Sequence, residues 1–250
     1  EDMVAYQEEV RDPTRVAEVL NRVIMQAHRA SAPAQINIPR DMWTQVVDIE
    51  LPKIVSFERP QGGDDAVAQA AELISNAKFP VILNGAGVVL ADAFDAVASL
   101  AERLDAPVCV GYQHNDAFPG SHPLFAGPLG YNGSNAGMEL ISRADVVLAL
   151  GTRLNPFSTL PGYGIDYWPT DAKIIQVDIN PDRIGLTKPV AVGIIGDAKK
   201  VAQGILERLS GSAGDAGRED RKNLIAPTKS AWAQAVSYTH LRAHETQFDR

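Results

Sequence analysis

From Asp64 to Leu209, short runs rich in Val, Ile and Leu alternate with stretches of helical period, and this alternation leaves few architectures open. The runs are PVILN at 80–84, PVCVGY at 107–112, DVVLALG at 145–151, KIIQVDI at 173–179 and AVGII at 191–195. Each is apolar on both faces, as a strand must be when helices cover both sides of a parallel sheet. Between them DDAVAQAAELISNAK, ADAFDAVASLAERL, residues 135–142 and AKKVAQGILERL read as helices, with Asp64 and Asp197 as caps. The pattern predicts an α/β chain whose main domain, residues 64–210, is a Rossmann-like doubly wound parallel sheet.

The flanks are less regular. Residues before Asp12 have a helix-forming pattern, and Asp12-Pro13 marks a helix start, because Asp can cap free amides and Pro suits the first turn. Val16, Leu20, Val23, Ile24 and Ala27 continue it at helical spacing to Ala30, and SAPAQINIPRD then reads as a short strand ended by Pro39. Residues 1–44 therefore read as the remnant of a second α/β domain, and 45–63, with Pro52, Pro60 and Gly62-Gly63, as an interdomain linker. After the main domain, 211–234 opens on SGSAGDAGREDRK and reads as a flexible linker, and 235–250 as a tail of atypical composition.

Composition narrows the partners. A net charge of -8 with no Lys/Arg run gives no footprint for nucleic acid or an acidic membrane, which leaves small molecules and other protein chains. No apolar stretch reaches the roughly 18 residues of a membrane span, and the acidic start is unlike a secretory signal, so the expected compartment is the cytoplasm. Cys109 is the single cysteine and lies in an apolar run, which predicts a buried inert thiol.

Gly85-Ala86-Gly87 follows a strand and precedes a helix, where glycines let backbone amides approach a phosphate. The third glycine of the dinucleotide fingerprint falls at Leu90, and no acid ends PVCVGY to hold a ribose, so a tight turn is the better reading. Arg153 and Asp178 fall at the carboxyl ends of strands, where open α/β sheets bind ligands; an anion clamp and a ribose acceptor compete evenly with a salt bridge and a turn cap. Gly196-Asp197 followed by Asn223 has a metal-diphosphate look, but Ala198 stands at the third position and a cap role suffices for Asp197. His240, His244 and Glu245 share helical spacing without a third ligand, and His114 and His122 flank a polar loop. No serine-nucleophile elbow or phosphate loop is present, so no metal site and no nucleophile are assigned.

Several segments carry a resemblance. PAQINIPRD at 33–41 is similar to the end of the pyrimidine-binding domain of thiamine-diphosphate-dependent enzymes. PVILNGAGV, GYQHNDAFPGSHPLFAGPLGYNGS, ADVVLALGTRLNPF, IIQVDINPDRIGL and GDAKKVA are similar to their central domain. With LPGYGIDYWP at 160–169, the chain resembles the sulfoacetaldehyde acetyltransferases more than the acetohydroxyacid synthases.

The resemblance implies an acyltransferase that uses thiamine diphosphate and Mg2+ and works as a homo-oligomer, a dimer or tetramer. It places the family's catalytic glutamate ahead of Glu1 and its metal motif beyond Trp232, so this chain is expected to be a non-catalytic fragment that binds no cofactor tightly. Carried over from relatives that hold FAD or another nucleotide, Gly85, Ala86, Gly87, Thr152, Arg153, Asp178 and Ile179 mark a vestigial nucleotide site. The final VSYTHLRAHETQFDR departs from the family and resembles translated adapter sequence.

Overall fold

The computed structural model describes residues 3–53, 58–131, 133–161 and 164–248, with side chains through residue 236. The chain divides into two compact units, Glu1–Glu58 and Arg59–Arg250.

In the first unit, β1 (Tyr6–Glu9) and β2 (Ala34–Asn37) pair in parallel, joined by α1 (Val16–Ala30). The opening residues are thus a strand where the sequence predicts helix. YQEE contains good helix formers, but alternate residues turn inward and the ladder to β2 overrides propensity. Asp12 accepts from the Thr14 N–H at 2.9 Å, and Pro13 begins the single turn that leads into α1. Val19 and Val23 of α1 are buried with Val10 in a small apolar cluster, while Leu20 and Ile24 are 43% and 46% exposed. Arg22 of α1 clasps the Glu8 carboxylate of β1 through two bonds of 2.8 and 2.9 Å.

The second unit is built on six parallel strands: β3 (Pro80–Asn84), β4 (Val108–Gly111), β5 (Phe125–Leu129), β6 (Val146–Leu150), β7 (Lys173–Asp178) and β8 (Val192–Ile195). They lie in the order β5-β4-β3-β6-β7-β8, so the chain winds outward from β3, returns beside it, and winds the other way. Residues alternate between two cores as the pleat requires. Ile82, Leu148 and Ile175 face α2 (Asp64–Ser75), α4 (Phe94–Leu104) and α6 (Ala198–Arg208). Val81, Leu83 and Val147 face α5 (Asn135–Ile141) and Ile225 of α7 (Arg218–Phe248). The doubly wound sheet expected from the sequence is the observed fold.

Four details differ from the sequence reading, the first being that Gly63 and not Asp64 stands at the cap of α2. β5 lies inside a segment read as loop, because FAGPL contains Gly127 and Pro128; at a sheet edge a proline costs no ladder bond on its open side. The helix after β3 is split into α3 (Ala86–Leu90) and α4 by Asp92, whose φ is +49°. Residues 59–62, placed with a linker by composition, lie against β8: Gln61 bridges Gly196 antiparallel, the Asp197 N–H donates to the Pro60 carbonyl at 2.8 Å, and Arg59 pairs with Asp197 at 2.9 Å.

Candidate functional site at the carboxyl edge of the sheet

The winding reverses between β3 and β6, and a crevice for ligands forms outside the carboxyl ends of strands at such a point. The carboxyl ends of β3, β6 and β7 and the residues just after them carry all seven residues singled out from the sequence, so the fold brings them to one edge.

The first two turns meet backbone to backbone. Gly85 N–H donates to the Leu150 carbonyl and Gly87 N–H to the Gly151 carbonyl, each at 2.9 Å. A Cβ on Gly85 would lie 2.5 Å from the Gly151 oxygen, and one on Gly87 would lie 2.5 Å from Gly151 Cα. The glycines are therefore required by turn-on-turn packing, and two of the amides that could cradle a phosphate are already spent. Gly151, with φ +58°, is the partner that motif reading missed; the signal was present in the glycine that ends DVVLALG.

Thr152 is buried, and its Oγ1 accepts from the Leu154 N–H at 3.2 Å. Gln176 ties this turn to β7 by donating to the Thr152 carbonyl at 3.0 Å. Leu154 is fully buried in a left-handed conformation, φ +53°, and the Thr187 hydroxyl donates to both the Arg153 and Leu154 carbonyls at 3.1 and 2.9 Å. Arg153 itself is exposed, and among the described residues its guanidinium makes no hydrogen bond or ion pair. Asp178 is buried and accepts from the Asn180 N–H at 2.9 Å, the turn-cap arrangement, while Ile179 is 43% exposed. At this edge the chain offers one solvated cation and one buried carboxylate.

The other candidates are structural. His122 accepts from the Leu124 N–H through Nδ1 and donates to Glu102 through Nε2, both at 3.2 Å, so it fastens its own loop to α4. His114 lies 4.0 Å from Asp116 on the protein surface. Cys109 is fully buried, and burial pushes its thiol up to about 12, so it is no nucleophile. Asp197 caps α6 by accepting from the Lys199 and Lys200 amides at 3.0 and 3.2 Å, and Asn223 is exposed on α7. The side chains of His240, His244 and Glu245 lie outside the described residues.

Comparison with known proteins fixes the lineage. Residues 67–205 match the family model described as thiamine pyrophosphate enzyme, central domain. The chain belongs to that family. Over 236 residues, 94% of this chain, it is 80% identical to the sulfoacetaldehyde acetyltransferase of Roseovarius nubinhibens, and over 237 residues 73% identical to a probable sulfoacetaldehyde acetyltransferase of Rhizobium meliloti. It spans 39% and 40% of their lengths. A probable acetolactate synthase large subunit of Methanocaldococcus jannaschii is 35% identical over 184 residues, 71% of this chain and 31% of that one. Among solved structures, benzoylformate decarboxylase from Polynucleobacter necessarius superposes with a TM-score of 0.71 over 86% of this chain and 40% of that one, at 22% identity.

The central domain's own residues do not fit the metal and diphosphate of thiamine pyrophosphate. Asp197, the acidic residue in the most suggestive motif, is consumed as a helix cap and as the partner of Arg59. Among the described residues no three His, Cys, Asp or Glu side chains gather to hold a metal, and no helix is long and apolar enough to cross a membrane.

Proposed function

We propose that this chain is the central part of a sulfoacetaldehyde acetyltransferase. The whole enzyme converts sulfoacetaldehyde and phosphate to acetyl phosphate and sulfite with thiamine diphosphate and Mg2+, works in the cytoplasm and forms a homo-oligomer. The observation that carries the reading is identity of 80% across both compact units to a protein of that name, against 35% to an acetolactate synthase subunit. In this reading the two α/β units position the cofactor-bearing parts, and the described residues supply neither nucleophile nor metal ligand. The edge formed by Gly85, Ala86, Gly87, Thr152, Arg153, Asp178 and Ile179 is a nucleotide site turned to structural use. Its glycine amides hold the neighbouring turn, and its carboxylate caps its own.

The test compares this chain with the protein extended to the length of those relatives. With thiamine diphosphate, Mg2+ and phosphate, the extended protein releases sulfite from sulfoacetaldehyde and forms acetyl phosphate, and this chain does neither. Turnover by this chain alone overturns the division of labour. An extended protein that condenses pyruvate and ignores sulfoacetaldehyde shifts the function to acetolactate synthesis. Titration followed by flavin fluorescence gives no submicromolar Kd for FAD; tight binding would restore the crevice as a working site.

A further inference from the structure

The stretch from Ser210 to Lys229 has the composition of a linker, yet it is fastened to the second unit along its length. Arg221 is fully buried, and all five of its N–H donors go to backbone carbonyls. Nε donates to Asp105 at 3.2 Å, Nη1 to Ala216 at 2.6 Å and to Lys78, and Nη2 to Leu104 at 2.7 Å and to Gly214. None of the five partners is a carboxylate. A desolvated cation is instead compensated by dipoles, two of them the closing carbonyls of α4, whose negative end favours positive charge. The Asp105 carboxylate is occupied by Arg218 at 3.1 Å and Lys222 at 4.0 Å.

The approach to this cage is equally close. Gly214 and Gly217 have φ of +78° and +65°; a Cβ on the first would lie 3.0 Å from Leu104 Cα, and one on the second would collide with the Lys78 carbonyl oxygen. Arg103 of α4 donates to the Gly211 and Ala213 carbonyls at 2.8 and 2.7 Å. Further along α7, Ile225 is buried against the sheet's second core, and Lys229 donates to the Pro123 carbonyl at 2.6 Å. Pro227 removes an intrahelical bond, so these outside anchors, more than the helix's own ladder, fix its start.

We propose that residues 210–229 are a clasp and not a tether, locked by Arg221 in its cage of carbonyls, so that α7 leaves the central domain in one fixed direction. The clasp rests on the fold alone and is independent of the reaction proposed above. Hydrogen exchange on the intact chain tests it. Amides of 221–225, which have backbone acceptors, exchange as slowly as those of β6. In Arg221→Ala, exchange in 221–225 accelerates roughly 100-fold or more, because several buried carbonyls lose their donors, while β6 keeps its protection. Guanidinium ion, well below denaturing concentration, refills the cage and restores protection in that variant; urea does not. Gly217→Ala loosens the same segment with Arg221 still present. Fast exchange in the unaltered chain, or protection unchanged by Arg221→Ala, overturns the clasp. Failure of guanidinium to rescue overturns the role of the cage. If both variants expose β6 together with 221–225, the segment is ordinary core and the local lock is refuted.

Discussion

Replacing Gly87 by Ala places a methyl carbon 2.5 Å from Gly151 Cα and 3.1 Å from the Gly151 oxygen. Both are backbone atoms between two strands, so neither can swing aside. Overpacking of this kind costs about 1–3 kcal/mol. Parting the turns also strains the 2.9 Å bond from the Gly87 N–H to the Gly151 carbonyl. That loss adds about 1 kcal/mol. The alanine recovers at most about 1 kcal/mol of helix propensity, since the position lies in the first turn of α3. The expected net loss is about 2–3 kcal/mol, a large share of the roughly 5–15 kcal/mol that holds a domain together. Exchange of the β3 and β6 amides through global opening should then quicken roughly 30- to 150-fold. Gly63→Ala is the control, since its added carbon meets nothing within 4 Å and its φ is -76°. If Gly87→Ala exchanges like Gly63→Ala, the turns are not in contact and the glycine reading returns to phosphate binding.

Asp197→Ala removes the α6 cap and the ion pair with Arg59, and should lower stability by about 1–2 kcal/mol in urea unfolding, with Asp197→Asn losing less because it can still cap. An unchanged midpoint for the alanine variant would refute the cap role. Alkaline conditions should also destabilise the second unit. Cys109 and the fully buried Tyr167, whose hydroxyl donates to the Ser158 carbonyl, both have their pKa pushed up to about 12 by burial. Above their ordinary values of 9 and 10 the unfolded chain ionises first, so stability present below that range is lost as pH rises towards 12. The Cys109→Ala, Tyr167→Phe double variant should remove about 2 kcal/mol or more of that loss, measured by urea unfolding across the range. An identical slope in the double variant would refute the assignment.

Strands buried on both faces announce themselves through composition alone, which is why PVILN and DVVLALG were legible and why the sheet's winding followed. Asp197 was legible as a cap because capping is local, though Asp64, read the same way, is the first helical residue behind Gly63, and Arg153 and Asp178 were legible as strand-end residues. What escaped depends on distant neighbours. FAGPL carries a proline tolerated only because β5 is an edge, and YQEE becomes a strand only because Ala34–Asn37 lies beside it. The glycines of SGSAGDAG look like flexibility in one dimension, whereas in three Gly214 and Gly217 admit the Leu104 and Lys78 backbones. Whether a glycine at residue 85 greets a phosphate or another turn likewise depends on Gly151, a residue far along the chain.

The short run of residues before Asp64 has a further consequence. Unpaired edge strands invite edge-to-edge association, and this sheet has two. At β5 the edge carries Pro128 and a register shift opposite Val108/Cys109, both of which spoil a template. At β8 the described residues 59–61 cross the strand's carboxyl end, through the Gln61–Gly196 bridge, the Asp197 N–H to Pro60 carbonyl bond and the Arg59–Asp197 pair. A central domain excised at Asp64 would keep its helices and strands yet bare the carboxyl end of β8, and should associate more readily than one beginning at Arg59.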